Sequence, residues 1–109
     1  MATAEDLRRA ALALEGTTEA PHFDRAAFKV AHIYVTLAAD GLTANLMLSP
    51  DEQAHLCAAD PGAFAPLPNA WGRRGATQAR LAALDADGLG AALRLAWDRA
   101  GAAKRPRGR

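Results

Sequence analysis

Between residues 33 and 48 this chain permits few folds. Ile33, Val35 and Leu37 alternate with Tyr34, Thr36 and Ala38, and Leu42, Ala44, Leu46 and Leu48 alternate with Thr43, Asn45 and Met47. Successive side chains of a strand point to opposite faces, so each run presents one apolar face. Asp40-Gly41 lies between the runs, a pair whose tolerance of left-handed backbone suits a tight hairpin. Ala26–Val30 reads as a preceding strand, joined closely at Ala31-His32. The expected unit is a three-stranded antiparallel meander with one face that must be covered.

The rest of the chain supplies the cover. Thr3 with Asp6 resembles a capping box, and Leu7, Ala10 or Ala11 and Leu14 recur at helical spacing up to a terminating Gly16. Residues 15–25, with Pro21 and His22, read as a polar loop. Ser49-Pro50-Asp51-Glu52 starts a second, short helix with a cap, a first-turn proline and acids at the positive end of the helix dipole. Asp60-Pro61-Gly62 is turn chemistry; residues 63–68 suit a short edge strand limited by prolines, and Thr77–Ala82 a strand that closes the sheet. Asp85 or Asp87 caps a last helix whose stripe is Leu89, Leu93, Ala96, Trp97 and Ala100. The order α-β3-α-β2-α predicts an α+β two-layer domain with a mainly antiparallel sheet.

Its 109 residues fit one domain, read as residues 1–103 with a basic tail at 104–109 that is expected to be disordered. Alanine supplies much of the hydrophobic content, so the predicted core rests on fewer large side chains. These are Leu7, Leu12, Leu14, Phe23, Phe28, Val30, Ile33, Val35, Leu46, Leu48, Phe64, Trp71, Leu81, Leu89, Leu93 and Trp97. Cys57 is the only cysteine, which excludes an internal disulfide. No stretch has the apolar length of a membrane span, and the acidic start lacks the basic region of a secretory signal. The reading is a cytoplasmic protein without a membrane partner.

Charge is divided unevenly. Residues 1–70 carry four Lys/Arg against nine Asp/Glu, whereas residues 71–109 carry nine against three, giving −5 and +6 within a net +1. Such asymmetry can mark a surface for a polyanion. Four of the positive charges are Lys104, Arg105, Arg107 and Arg109 in the tail, and without them the chain comes to −3.

The functional candidates centre on Trp71-Gly72-Arg73-Arg74-Gly75. Glycines let backbone approach a ligand closely, and arginine grips phosphate in a two-pronged contact. Arg73 and Arg74 are therefore phosphate candidates, extended by Arg80 if the next strand lies alongside and by Lys104, Arg105 and Arg107 through counterion release. The plainer reading is a solvated hairpin tip, or an arginine paired with Asp24 or Asp51. Trp71 and Trp97 could stack on bases, but Trp97 lies on an apolar stripe and Trp71 suits a structural anchor with Gly72 and Gly75. His22, His32 and His55 are far apart, and His55 and Cys57 two apart on a helix diverge, so no metal or other cofactor site is read. No nucleophile comes with a base and an orienting partner, so no catalytic residues are assigned and the chain reads as a nonenzymatic binding domain.

Several pieces together resemble one family. Leu14-Glu15-Gly16, Phe28-Lys29-Val30, Ile33–Leu37, Asn45-Leu46-Met47-Leu48, Asp60-Pro61 with Phe64, Ala70–Gly75 and Ala96-Trp97 are similar in order and spacing to YjbR (MmcQ-like) proteins, small bacterial domains commonly labelled DNA-binding. The resemblance implies a fold like that of secretion chaperones and weak nonspecific binding of DNA or another polyanion. One position departs: the family usually continues Gly-Trp-Thr, whereas this chain has Gly75-Ala76-Thr77. If that indole contacts ligand in relatives, its loss here implies a lost activity or a changed target; if it is structural, a neighbour such as Trp97 or Phe64 is expected to fill its place. The chaperone analogy implies an alternative, a protein- or peptide-interaction module using the exposed sheet face around Tyr34, Thr36, Asn45 and Met47.

Overall fold

The structure is a computed structural model that describes residues 1–101. Helix α1, Ala4–Ala13, is followed by strands β1 (Thr18–His22), β2 (Arg25–Lys29), β3 (Ile33–Leu37) and β4 (Thr43–Met47). Then come α2 (Pro50–Ala59), β5 (Phe64–Pro66), the short α3 (Ala70–Arg73), β6 (Ala76–Arg80), a single 3-10 turn at Leu81–Ala83 and α4 (Ala86–Gly101). The strands form one antiparallel sheet in the order β1-β2-β3-β4-β6-β5.

Local chemistry sets the helix starts. The Asp6 N–H donates to Thr3 Oγ1 at 3.1 Å while the Thr3 N–H donates to the Asp6 carboxylate at 3.0 Å, and that N–H holds the Asp6 carboxyl below its ordinary pKa. Ser49 and Glu52 make the same reciprocal pair ahead of Pro50. Asp85 caps α4 by accepting the Gly88 N–H at 2.7 Å. The α1 helix ends at Ala13, earlier than its sequence spacing suggests, and Gly16 sits beyond it in a turn at φ 79°.

Burial arranges these elements in two layers. Phe28, Val35, Leu37, Ala44 and Leu46 of the sheet pack with Leu7 of α1 and Leu89, Leu93 and Ala96 of α4. Leu56 and Cys57 of α2 pack against the same core, so α1, α2 and α4 share one side. The opposite face of β2, β3 and β4 is left to solvent. This is the expected α+β class, with one strand and one short helix more than the pattern indicates.

The added strand is β1, where the sequence reads as a loop. All five of its residues are exposed, so no alternation betrays it. It is an edge strand, and an edge accommodates Pro21, which cannot donate to a ladder. The β1–β2 turn places Phe23 at φ 59° and 93% exposed, in solvent rather than in the core. Leu12 (44%) and Trp71 (60%) also leave the predicted core.

Tyr34 moves the other way. Between the pairs Phe28–Val35 and Lys29–Ile33 the register shifts, so Tyr34 is an extra residue on β3. The bulge turns it toward the helices, where its hydroxyl donates to the Ala11 carbonyl at 3.2 Å and lies 2.8 Å from Thr17 Oγ1. Tyr34 is thus core rather than part of the exposed face. Thr36, Asn45 and Met47 do lie on that face.

Candidate functional site

The loop around Trp71 is fixed by close backbone packing. The Asn69 side chain caps α3, accepting the N–H groups of Trp71 and Gly72 at 3.0 and 3.3 Å. A Cβ on Gly72 would stand 1.8 Å from the Leu67 carbonyl oxygen; on Gly75, at φ 115°, it would stand 2.0 Å from that of Leu48. Gln53 of α2 donates to the Gly72 and Ala76 carbonyls, each at 2.9 Å, tying the loop to the helical layer. The glycines hold the loop; Trp71 points outward, with the Arg74 guanidinium 5.4 Å from its ring centroid.

The predicted phosphate candidates separate into two places. Arg73 and Arg74 are exposed at one end of β6, and Arg80 is exposed at the other, its Nη1 3.5 Å from the Gly62 carbonyl oxygen. A five-residue strand at about 3.3 Å per residue puts those ends roughly 15 Å apart, so the three do not form one patch. Arg99, read from sequence only as lying off the buried stripe of the last helix, joins Arg74 instead. With Trp71, Met47, Leu48 and Ala76 the two arginines line a dent of about 200 Å³. Lys104, Arg105 and Arg107 lie outside the described residues.

Ala76 is buried at that dent, among those same neighbours. Neither aromatic expected to replace a larger side chain there does so. Phe64 belongs to the core, and Trp97, half-buried on α4, donates from Nε1 to the Glu15 carbonyl at 2.9 Å and carries Arg94 over its ring.

The bare sheet face supplies what the loop alone does not. Pairing and alternation place Arg25, Lys29, Ile33, Thr36, Asn45, Met47, Gln78 and Arg80 on it. Three of these are cations and none is a carboxylate. Glu19 of β1 lies on the helical side in an ion pair with Arg8 at 3.0 Å; Glu5 and Asp6 pair with Arg8 and Arg9 on α1. The Arg25 guanidinium is held on the floor, donating from Nε to Thr36 Oγ1 at 2.8 Å and from Nη2 to the Thr36 carbonyl at 3.2 Å. None of Arg25, Lys29, Arg73, Arg74 and Arg80 forms an ion pair with another described residue.

Across this face runs a trough of about 490 Å³, from His22 and Phe23 over Arg25, Ile33, Thr36, Asn45 and Met47 to Leu67 and Trp71. Phe23 stands at one rim, its ring edge-on to His22 with centroids 4.8 Å apart; Trp71 stands at the other. Sequence reasoning missed Phe23 and Arg25. Phe23-Asp24 between two short runs was the available signal for the hairpin, and the aromatic suggests core instead. The arrangement offers exposed rings for stacking, cations for an anion, and Asn45 for a hydrogen bond. Among the described residues no three His, Cys, Asp or Glu side chains gather where they could hold a metal. Cys57 is half-buried, and burial pushes its thiol above the ordinary pKa, which disfavours the reactive thiolate.

A model of the YjbR family matches residues 12–99. The fold is similar to the crystal structure of Deinococcus radiodurans protein DR2400, a DUF419 domain, with a TM-score of 0.77 and 23% identity over 98% of this chain and 84% of that one. At that identity the likeness speaks for the fold alone. No curated protein matches in sequence. Among the described residues no helix is long and apolar enough to cross a membrane.

Proposed function

This chain belongs to the YjbR family, and we propose that it is a nonenzymatic binding domain for nucleic acid, held mainly through phosphate. The observation that carries the reading is the segregation of charge. Residues 1–101 hold nine Lys/Arg and twelve Asp/Glu, a net −3, yet Arg25, Lys29 and Arg80 on the bare face have no carboxylate among them. Arg73, Arg74 and Arg99 add positive charge at the Trp71 end. The chain beyond Gly101 adds Lys104, Arg105, Arg107 and Arg109 by sequence. Phosphate contacts of this kind give affinity and register without reading bases.

A specific observation favours a second reading. Ile33, Met47 and Leu67 make the trough apolar between two exposed aromatics, which would also suit an apolar segment of a protein partner.

Fluorescence anisotropy separates the two. The full chain and a version ending at Ala103 would be titrated with duplex DNA, single-stranded DNA, RNA and heparin at about 50 and 200 mM salt. Three or four phosphate contacts lower duplex affinity roughly 40-fold to 150-fold over that range. The double variant Arg73→Glu, Arg74→Glu should weaken binding about tenfold further. Affinity that ignores both salt and charge reversal would sink the nucleic-acid reading and favour the protein partner.

A further inference from the structure

Phe23 places a large apolar ring in water and in left-handed backbone, where a side chain is disfavoured. Neither feature serves the core, which lies on the other side of the sheet. Across the trough Trp71 is also turned outward, on a loop whose backbone packing leaves it little freedom. Arg74 stands over its ring, and the indole remains 60% exposed. Two exposed rings thus frame a floor of Ile33, Met47 and Leu67, with the Arg25 guanidinium held between them by Thr36.

We propose that this trough is a stacking site for the bases of single-stranded nucleic acid, with Phe23 and Trp71 as platforms and Arg25 and Arg74 taking adjacent phosphates. The inference rests on the nucleic-acid reading above and names its substrate class. A duplex keeps its bases stacked on each other and presents phosphates outward, so it cannot use an apolar floor or two ring faces. Unpaired bases can be splayed onto aromatic side chains, and they bring phosphates within reach of flanking cations. The charge of the face fits this occupant: Arg25, Lys29 and Arg80 lie on it with no carboxylate among them, and Glu19 is held on the helical side by Arg8. Stacking on rings tolerates any base, so weak sequence preference follows.

The test uses the full chain, a labelled mixed-sequence DNA strand, the same sequence as RNA, its DNA duplex, and heparin. Single strands should bind more tightly than the duplex and quench indole fluorescence. Phe23→Gly and Trp71→Ala should each weaken single-strand binding about tenfold, and Trp71→Phe should restore most of the loss. Heparin affinity should change less than about twofold in all three, because heparin has charge without bases. Comparable DNA and RNA affinities support stacking; a strong preference for either strand shows which one the site serves. Circular dichroism melts of each variant identify any loss due to unfolding, and Phe23→Gly, at an exposed left-handed turn position, is the variant that keeps the fold. If Phe23→Gly and Trp71→Ala bind single strands as the parent does, the proposal is wrong. It is equally wrong if the duplex binds more tightly, or if heparin affinity falls in parallel. Binding of heparin and duplex with steep salt dependence but no aromatic effect overturns this site alone. Failure of every polyanion to bind overturns the phosphate reading as well.

Discussion

The Arg74 guanidinium stands 5.4 Å from the centroid of the Trp71 indole, one turn along α3. Residues three apart on a helix share a face, so even this single turn is enough to stack them. An exposed cation–π pair contributes about 0.5–1 kcal/mol, too little to hold the loop. What holds it is backbone packing at Gly72 and Gly75 and the Gln53 amide. The pair is therefore a consequence of the loop's position.

Gly75→Ala should destabilise the protein by at least about 3 kcal/mol, since the new methyl would meet the Leu48 carbonyl oxygen at 2.0 Å in left-handed backbone. Gly72→Ala should do the same against Leu67. Gly90→Ala is the control. It lies inside α4 with nothing within 4 Å of the added methyl, so stability should rise by about 0.5–1 kcal/mol. Urea denaturation of the three variants checks the contrast.

Tyr34→Phe should cost about 1 kcal/mol by removing the phenol's hydrogen bonds to Thr17 and to the Ala11 carbonyl, which keeps the Leu14 N–H. The same phenol sets an alkaline limit. Burial pushes its pKa above the ordinary 10.0, the Thr17 hydrogen bond opposing. The folded state then keeps a proton that the unfolded state releases, so stability is lost as pH rises past about 10. Melting curves at rising pH should show that decline in the parent, and Tyr34→Phe should lack this contribution.

Phe23→Gly should leave stability unchanged or raise it by up to about 1 kcal/mol, because glycine accepts φ 59° without strain and the ring buries almost nothing. A drop in the urea midpoint would mean that the ring packs on its surroundings in solution.

Gln53→Ala should lower stability by about 1–2 kcal/mol, since the Gly72 and Ala76 carbonyls would each lose one of two donors, keeping the Gly75 and Leu67 N–H groups. Because Gln53 lies off the trough, any fall in single-strand affinity would come from looser mounting of Trp71. Faster hydrogen exchange of the amides of residues 70–76 is the readout that identifies this cause.

The sequence was most legible where one residue's chemistry decides a local geometry. Thr3 with Asp6 and Ser49 with Glu52 specify capping boxes, Asp40-Gly41 a turn, and the alternation from Ile33 to Leu48 two adjacent strands; all are present. The stripe Leu89, Leu93, Ala96 and Ala100 is buried as its spacing requires. Strand β1 was not legible, because an exposed edge strand has no buried face to impose a pattern. Tyr34 and Trp71 misled in opposite directions, since a bulge inverts one and a glycine-packed loop expels the other.

By itself, then, the sequence determined the element types, the two-layer class and the family-bearing loop, all matters of near-neighbour chemistry and periodicity. Only the tertiary structure decided which sheet face stays bare, that Arg25, Lys29 and Arg80 share it with no carboxylate at its strand positions, and that Phe23 and Trp71 frame one trough. Those are relations between residues nearly fifty positions apart, brought together by strand pairing and by helices packing on the other side. No local signal encodes them.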